Sequence, residues 1–289
     1  MGLSTRIAPR SRGKLGRSSL KTVIVHAVPL LIAMITVLPF AYVAIISVQH
    51  VFYLAGDPRL WLSHALTLDT YGHMLFDTMM GKWMLNSLIV AGSVTILGLA
   101  IYTGAGYVFF LNRSHRLVNV LFGFVMIGIM TPRMVTIIPV FMMFRDVSLL
   151  NTYPALILPP LAIPVGVFLV RQALFAFPME LVDAARVDGA SELRAFRLVV
   201  VPLLAPSLVV VGIYTFMEQW REFMWPLIST SVTSMMTLPV GLSTFQSEFR
   251  TDWGLFMAGV AIAIIPGAAV FLLFQRWFLR GLTAGALRG

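Results

Sequence analysis

Long uncharged apolar stretches separated by short clusters of charge set the rhythm of this chain. Five run uninterrupted from one charged residue to the next: Lys21 to Asp57, Lys82 to Arg113, Asp146 to Arg171, Arg197 to Glu218 and Asp252 to Arg276. A sixth, 117–144, is broken only by Arg133, which follows Pro132. A bilayer core about 30 Å thick is crossed by about 20 apolar residues in a helix, so each stretch is long enough. The pattern predicts an all-α integral membrane protein with six transmembrane helices, at about 22–48, 83–111, 117–144, 147–170, 200–226 and 254–278. A membrane β-barrel needs alternating apolar and polar positions, and runs such as 199–204 do not alternate.

Composition strengthens this picture. The 289 residues are 58% hydrophobic and 11% charged, whereas a soluble domain carries about 25% charged residues. The chain has no cysteine, which removes disulfides, thiolate chemistry and Cys-type zinc sites. The net charge of +9 reads first as a topology signal rather than as a nucleic-acid footprint. A basic tail, 1–21, holds Arg6, Arg10, Arg12, Lys14, Arg17 and Lys21 with no acid. With six spans, the same side also receives Arg113, Arg116, Arg171, Arg186, Arg194, Arg197, Arg276, Arg280 and Arg288, against Arg59, Lys82, Arg145 and Arg250 opposite. The positive-inside rule then places both termini in the cytoplasm, with the tail drawn to anionic lipid. The first span is longer than the apolar region of a signal peptide, about 7–15 residues, and lacks its small-residue cleavage pattern.

One cytoplasmic segment, 176–202, is long and mixed in charge where its counterparts are short and basic. Pro178 suits the start of a helix. Glu180 and Arg186 lie at the helix ends that favour their charges. Gly189 can end the helix in the left-handed conformation, and Ser191 can cap a second short helix. The segment therefore reads as a helix–turn–helix knob, either a stiff connection or a docking element. Ala184 and Ala185 permit close approach.

Asp183-Ala184-Ala185-Arg186-Val187-Asp188-Gly189, followed by Val201-Pro202-Leu203, resembles the Glu-Ala-Ala signature of the permease subunits of ABC importers. Asp183 stands in the Glu position and keeps the charge on a shorter arm. Trp220-Arg221-Glu222-Phe223-Met224-Trp225-Pro226-Leu227, Leu238-Pro239-Val240-Gly241-Leu242, Asp252-Trp253-Gly254 and the C-terminal run from Arg280 to Gly289 are similar to the maltose-type, carbohydrate-uptake branch. The resemblance covers about 22–289 and implies a non-catalytic permease in the bacterial inner membrane. It also implies partners: a second permease subunit, two cytoplasmic ATPases and an external solute-binding protein. Glu180, Asp183, Ala184, Ala185, Asp188, Gly189 and Arg194 would engage the ATPases. The chain lacks a Gly-x-x-x-x-Gly-Lys-Ser/Thr loop, whose amides would cradle phosphates. No cofactor is therefore expected on it, ATP and Mg belonging to the partners.

Charges within spans usually face an interior or a wet cavity. Tyr214, Met217, Glu218, Arg221 and Trp225 recur at steps of three and four, one helical face suited to sugar rings. Arg133 with Thr136, and Asn86 with Ser87, complete the candidate substrate path. The alternatives are that Glu218, Arg221 and Glu222 pair with one another, that Arg133 ends a broken span, and that Asn86 and Ser87 hold helices together. The family commonly has Asn where Arg221 stands and a small residue where Arg133 stands, so the two cations point to an anionic sugar derivative as cargo. Two other functions compete. A self-sufficient secondary transporter or channel often shows internal repeats, and none is evident between 22–144 and 145–280. An intramembrane metalloenzyme would require clustered ligands, but His26, His50, His64, His73 and His115 are scattered, with only His64, Asp69 and His73 sharing a loop.

Overall fold

The computed structural model describes residues 15–49, 65–246 and 251–286, with side chains over 25–49, 65–246 and 251–276. The side chains of the basic tail, residues 50–64 (His64 among them) and the side chains of the C-terminal run lie outside the described residues. Within them the chain is helical, with one isolated bridge between Gln49 and Leu66.

Helix α1 (Leu15–Ser47) exposes its apolar residues from Val25 to Phe40 and buries only its end, at Ile46 and Ser47. There α2 (Asp69–Phe76) packs on it, Thr70 Oγ1 donating to the Ser47 carbonyl at 2.5 Å. Helix α3 (Met80–Leu111) is the central post. It buries Trp83, Asn86, Ser87, Val90, Val94, Tyr102 and Phe110 along its length. The mean hydropathy of the chain is +0.89, and a predominantly apolar helix buried at points along its length belongs inside a bundle.

The third apolar stretch is not one rod. It forms α4 (Arg116–Met130) and α5 (Arg133–Asp146), bent by 101° at Thr131-Pro132. Proline pushes the residue before it out of the helical region, and Thr131 is extended, with φ −80° and ψ 119°. At about 1.5 Å per residue each arm spans roughly 22 Å, short of a bilayer core. The fourth stretch is likewise divided into α6 (Tyr153–Leu161) and α7 (Pro164–Phe175), bent by 43° beside Pro159, Pro160 and Pro164. Among the described residues, four continuous helices are long and apolar enough to cross a membrane, and the count reaches six when each bent pair is one span.

The segment between α7 and the fifth span contains α8 (Glu180–Val187) and α9 (Glu192–Ala195). Helix α9 does not end before the membrane: a π turn at Phe196–Val200 carries it directly into α10 (Val201–Trp220), giving one 29-residue rod from Glu192 to Trp220. The wider turn precedes Pro202, which has no N–H to donate. The expected loop boundary at 202 is thus replaced by continuous helix. The far end of the fifth span is also earlier than expected. Helix α10 stops at Trp220, and α11 (Met224–Ser229) follows a short interruption. A 3-10 turn (Thr233–Met235), α12 (Leu238–Ser243) and α13 (Trp253–Ala286) complete the chain.

Two apolar clusters occupy opposite ends of α3. One joins Tyr102, Phe110, Val170, Leu174, Val182, Val200 and Val211, so α8 and the π turn are part of the same core as α3 and α7. The other joins Met74, Met80, Trp83, Trp220, Leu238 and Ile262. Close approach of α3 and α7 depends on Gly166, where a side chain would overlap the Tyr102 ring, and on Gly106, where a Cβ would lie 2.8 Å from Val170. No residue of α4 or α5 is buried, which leaves their apolar faces to lipid or to another helix.

Candidate functional site

The knob is built from local signals that the structure realises closely. Helix α8 carries Glu180 and Asp183 in its first turn and Arg186 in its last. Gly189 turns the chain with φ +84°, a region that side chains other than those of Asn and Asp rarely enter. Ser191 caps α9, its Oγ accepting from Arg194 N at 3.4 Å. Arg186 then ties the two helices together. Its Nε and Nη2 donate to the two Glu192 carboxylate oxygens at 2.8 and 3.1 Å, and Nη1 donates to Asp183 Oδ1 at 2.8 Å. The Glu192 hydrogen bond, with Asp183 adding to it, raises the guanidinium above its ordinary pKa. Val182 and Ala195 are buried and Tyr107 packs against Phe196, the rings tilted by 36° with centroids 5.0 Å apart, so the knob is seated on the helical body.

The exposed surface of this knob presents Glu180, Asp183, Ala184, Asp188, Gly189 and Arg194, with Val187 88% exposed between them. Ala185 departs from the sequence expectation. It packs inward against the cluster around Val182, and only Ala184 of the pair faces out. Of the residues that brace the knob, Arg186 was legible only as a dipole-favoured charge and Glu192 was not singled out. Their spacing of six does not advertise a contact across the Gly189 turn.

A second feature lies where helix interruptions converge. Thr131, Arg133, Thr136, Ala162, Pro164, Tyr214 and Glu218 line a cavity of about 450 Å³. The breaks between α4 and α5 and between α6 and α7 open directly onto it, and α10, interrupted just beyond, forms the remaining wall. Irregular backbone at membrane depth is tolerated where it is buried or lines such a space. Arg133, the first residue of α5, sends Nη1 to Glu222 Oε2 at 3.1 Å. Glu222 Oε1 accepts from Trp225 N at 3.2 Å, which caps α11. Glu218 pairs with Arg221. Thr136 Oγ1 donates to the Arg133 carbonyl at 3.0 Å. Both the pairing and the broken-span alternatives are therefore realised, but Glu222, which lies between α10 and α11, pairs across to α5 rather than with Arg221.

Of the path residues, Arg133, Thr136, Tyr214 and Glu218 come together. Arg221 is the residue after α10 and opens onto a separate apolar space lined by Met217, Trp220, Leu238 and Phe271. Trp225 belongs to α11, not to the α10 face inferred from spacing. It is buried with Nε1 donating to the Ala155 carbonyl at 2.8 Å, so it anchors α11 to α6. Asn86 is removed from the path as well. It is 0% exposed, with Nδ2 donating to the Ser234 and Met236 carbonyls at 2.9 and 2.8 Å and Oδ1 accepting from Tyr153 Oη at 2.8 Å. Ser87 Oγ accepts from Leu238 N at 2.8 Å. A residue missed by sequence, Asn151, clamps the same segment: φ is +59°, and Oδ1 accepts from Ser231 N and Val232 N at 2.6 and 2.9 Å. Among the described residues no group of three or more His, Asp or Glu is placed to hold a metal ion.

Long apolar helices, a largely apolar cavity with Arg133 and Glu218 in its wall, and a braced knob at one end are the features of a membrane transport subunit. Residues 96–284 match the binding-protein-dependent transport system inner membrane component family, and the chain belongs to it. It is a multi-pass transport subunit. Its relatives include the arabinooligosaccharides transport system permease protein AraQ of Halalkalibacterium halodurans, 34% identical over 78% of this chain and 80% of that protein. The sulfoquinovosyl glycerol transport system permease protein SmoH of Agrobacterium fabrum is 34% identical over 87% and 88%. The sn-glycerol-3-phosphate transport system permease protein UgpE of Yersinia pestis is 33% identical over 79% and 82%. The fold is shared with a chain in the crystal structure of a bacterial ABC transporter involved in the import of the acidic polysaccharide alginate, with a TM-score of 0.74 over 92% of this chain and 99% of that one, at 21% identity.

Proposed function

We propose that this chain is the permease subunit of an ATP-driven importer of saccharides or saccharide derivatives. In this reading both termini lie in the cytoplasm, a second permease subunit completes the path, and an external binding protein delivers cargo. Two ATPase subunits, which carry ATP and Mg, seat on the knob through Asp183, Ala184, Asp188, Gly189 and their exposed neighbours. The related systems, by name, handle saccharides, a glycosyl glycerol and a glycerol phosphate. Their cargoes include both uncharged and anionic compounds.

The observation that carries the reading is the continuity of the rod from Glu192 to Trp220. One end is the second helix of the knob, and the other bears Tyr214 and Glu218 in the cavity wall. At about 1.5 Å per residue, Glu192 and Glu218 are roughly 39 Å apart along one rod, so a displacement at the knob reaches the cavity without an intervening loop. This is the two-state, rigid-element coupling that switching proteins use.

Gly189→Pro tests the reading. The turn needs a positive φ, +84°, whereas proline is held near −65°. The variant is expected to insert normally but to lose co-purification with the ATPase and ATP-driven uptake. Retained association and uptake would refute the coupling role.

A further inference from the structure

We propose that the cavity at the helix breaks is a station for an uncharged saccharide unit, and that two carboxylates set this preference: Glu222 by neutralising Arg133, and Glu218 by standing in the wall. The inference rests on the saccharide-importer reading and narrows it. Arg133 and Arg221 taken alone point toward an anionic cargo, because each offers charge-assisted hydrogen bonds. The structure gives each of them a carboxylate. Arg133 is bound to Glu222 and Arg221 to Glu218, so the four side chains sum to zero.

The carboxylates are the enclosed partners. The Glu222 and Glu218 side chains are 18% and 22% exposed, against 56% and 72% for Arg133 and Arg221. Glu222 is further fixed by the backbone N–H of Trp225, which it caps. An anion entering the cavity must compete for Arg133 with a carboxylate that is anchored in place. Once there, it meets the Glu218 carboxylate in the wall and the Glu222 carboxylate held on Arg133, in a partly enclosed space where like charges repel strongly.

A sugar hydroxyl meets no such conflict. It donates to the Glu218 carboxylate and accepts from Arg133, a fork of five N–H donors of which, among the described residues, only Nη1 is engaged in a side-chain ion pair, with Glu222. Tyr214 adds a hydroxyl and an aromatic face, while Ile129, Val140 and Ile163 supply apolar wall for the C–H faces of a ring. The volume of about 450 Å³ lies within the usual range for small-molecule sites, about 300–1,000 Å³. Both ion pairs stay intact when the cavity is occupied this way.

Saturation-transfer NMR on the full chain in lipid nanodiscs, with maltose and digalacturonate as the probes, tests the assignment. Wild type is expected to transfer saturation to maltose and not to digalacturonate. Glu222→Gln retains a carbonyl oxygen to cap Trp225 but frees the Arg133 charge. It should shift the preference toward digalacturonate by about tenfold, the scale of one added hydrogen bond to a charged group. Wild type that takes digalacturonate as well as maltose, a preference unmoved by Glu222→Gln, or a maltose signal that survives Tyr214→Ala would each overturn the proposal. Wild type that contacts neither sugar would instead refute the saccharide reading beneath it.

Discussion

Replacing Asn86 by leucine separates a structural role from a cargo contact at one position. The Asn86 side chain is fully buried and makes three hydrogen bonds, to the Ser234 and Met236 carbonyls and from the Tyr153 hydroxyl. Leucine keeps the branching at Cγ, with bulkier methyl groups, but leaves all three partners without a mate. A buried polar group stranded in this way costs about 1–3 kcal/mol, so the expected loss is at least about 3 kcal/mol. Against a typical total of about 5–15 kcal/mol, that is a large share of the stability. Tyr153→Phe removes only the hydroxyl bond and should cost about 1 kcal/mol. The double variant should fall short of the sum, because the two side chains share an interaction. Unfolding of the full chain in mixed micelles, titrated with dodecyl sulfate and followed by tryptophan fluorescence, reads these differences. A loss below about 1 kcal/mol for Asn86→Leu, together with abolished uptake, would refute the structural assignment and return Asn86 to the cargo path.

Two further substitutions probe the knob and the core. Arg186→Met removes the fork to Glu192 and Asp183; exposed pairs are worth about 0.2–1 kcal/mol each, so insertion and folding should persist while amide exchange across the Gly189 turn accelerates and less cargo moves per ATP consumed. Unchanged exchange would show that the brace does not stiffen the knob, and Arg186→Lys, which keeps the charge but not the fork, should restore transport only in part. Gly166→Val places a side chain on the Tyr102 ring and should destabilise the α3–α7 contact by about 1–3 kcal/mol. Pairing it with Tyr102→Leu should recover part of that loss in the same micelle titration, and no recovery would mean that the ring is not what the glycine accommodates.

The membrane class and the knob were legible because their signals are local. Span length is a count of uncharged residues, and the two ends of α8 and α9 are fixed by Gly189 and Ser191 within a few positions of the helices they limit. Direction is not a count. Residues 117–144 meet the length requirement for crossing, yet Thr131 and Pro132 turn the axis by 101°, which hydropathy along the chain does not register. The same limitation applies at the end of α10. A three- and four-residue rhythm from Tyr214 to Trp225 describes one face only if the helix continues, and it stops at Trp220. Trp225 therefore points into α6, not along the cavity. Asn86 shows a different gap: whether a buried amide serves a solute or the backbone depends on residues about 150 positions away in sequence.

The interruption at Arg221-Glu222-Phe223 gives these details a common mechanical sense. Beyond it, α11 is pinned, since Trp225 is bonded to α6 and Glu222 both caps α11 and holds Arg133 on α5. Before it, α10 is the end of a rod that begins in the knob. A displacement of that rod has to be absorbed between the two, at residues outside regular helix. Glu218 and Tyr214 would travel with the rod, while Arg133 and Glu222 stay with the pinned side. The cavity would then change the separation between its carboxylate from α10 and its guanidinium from α5, altering its grip on a solute while the Arg133–Glu222 pair stays closed. Ending α10 after Glu218 but before Glu222, rather than before or after both, is what allows one of them to move and the other to remain.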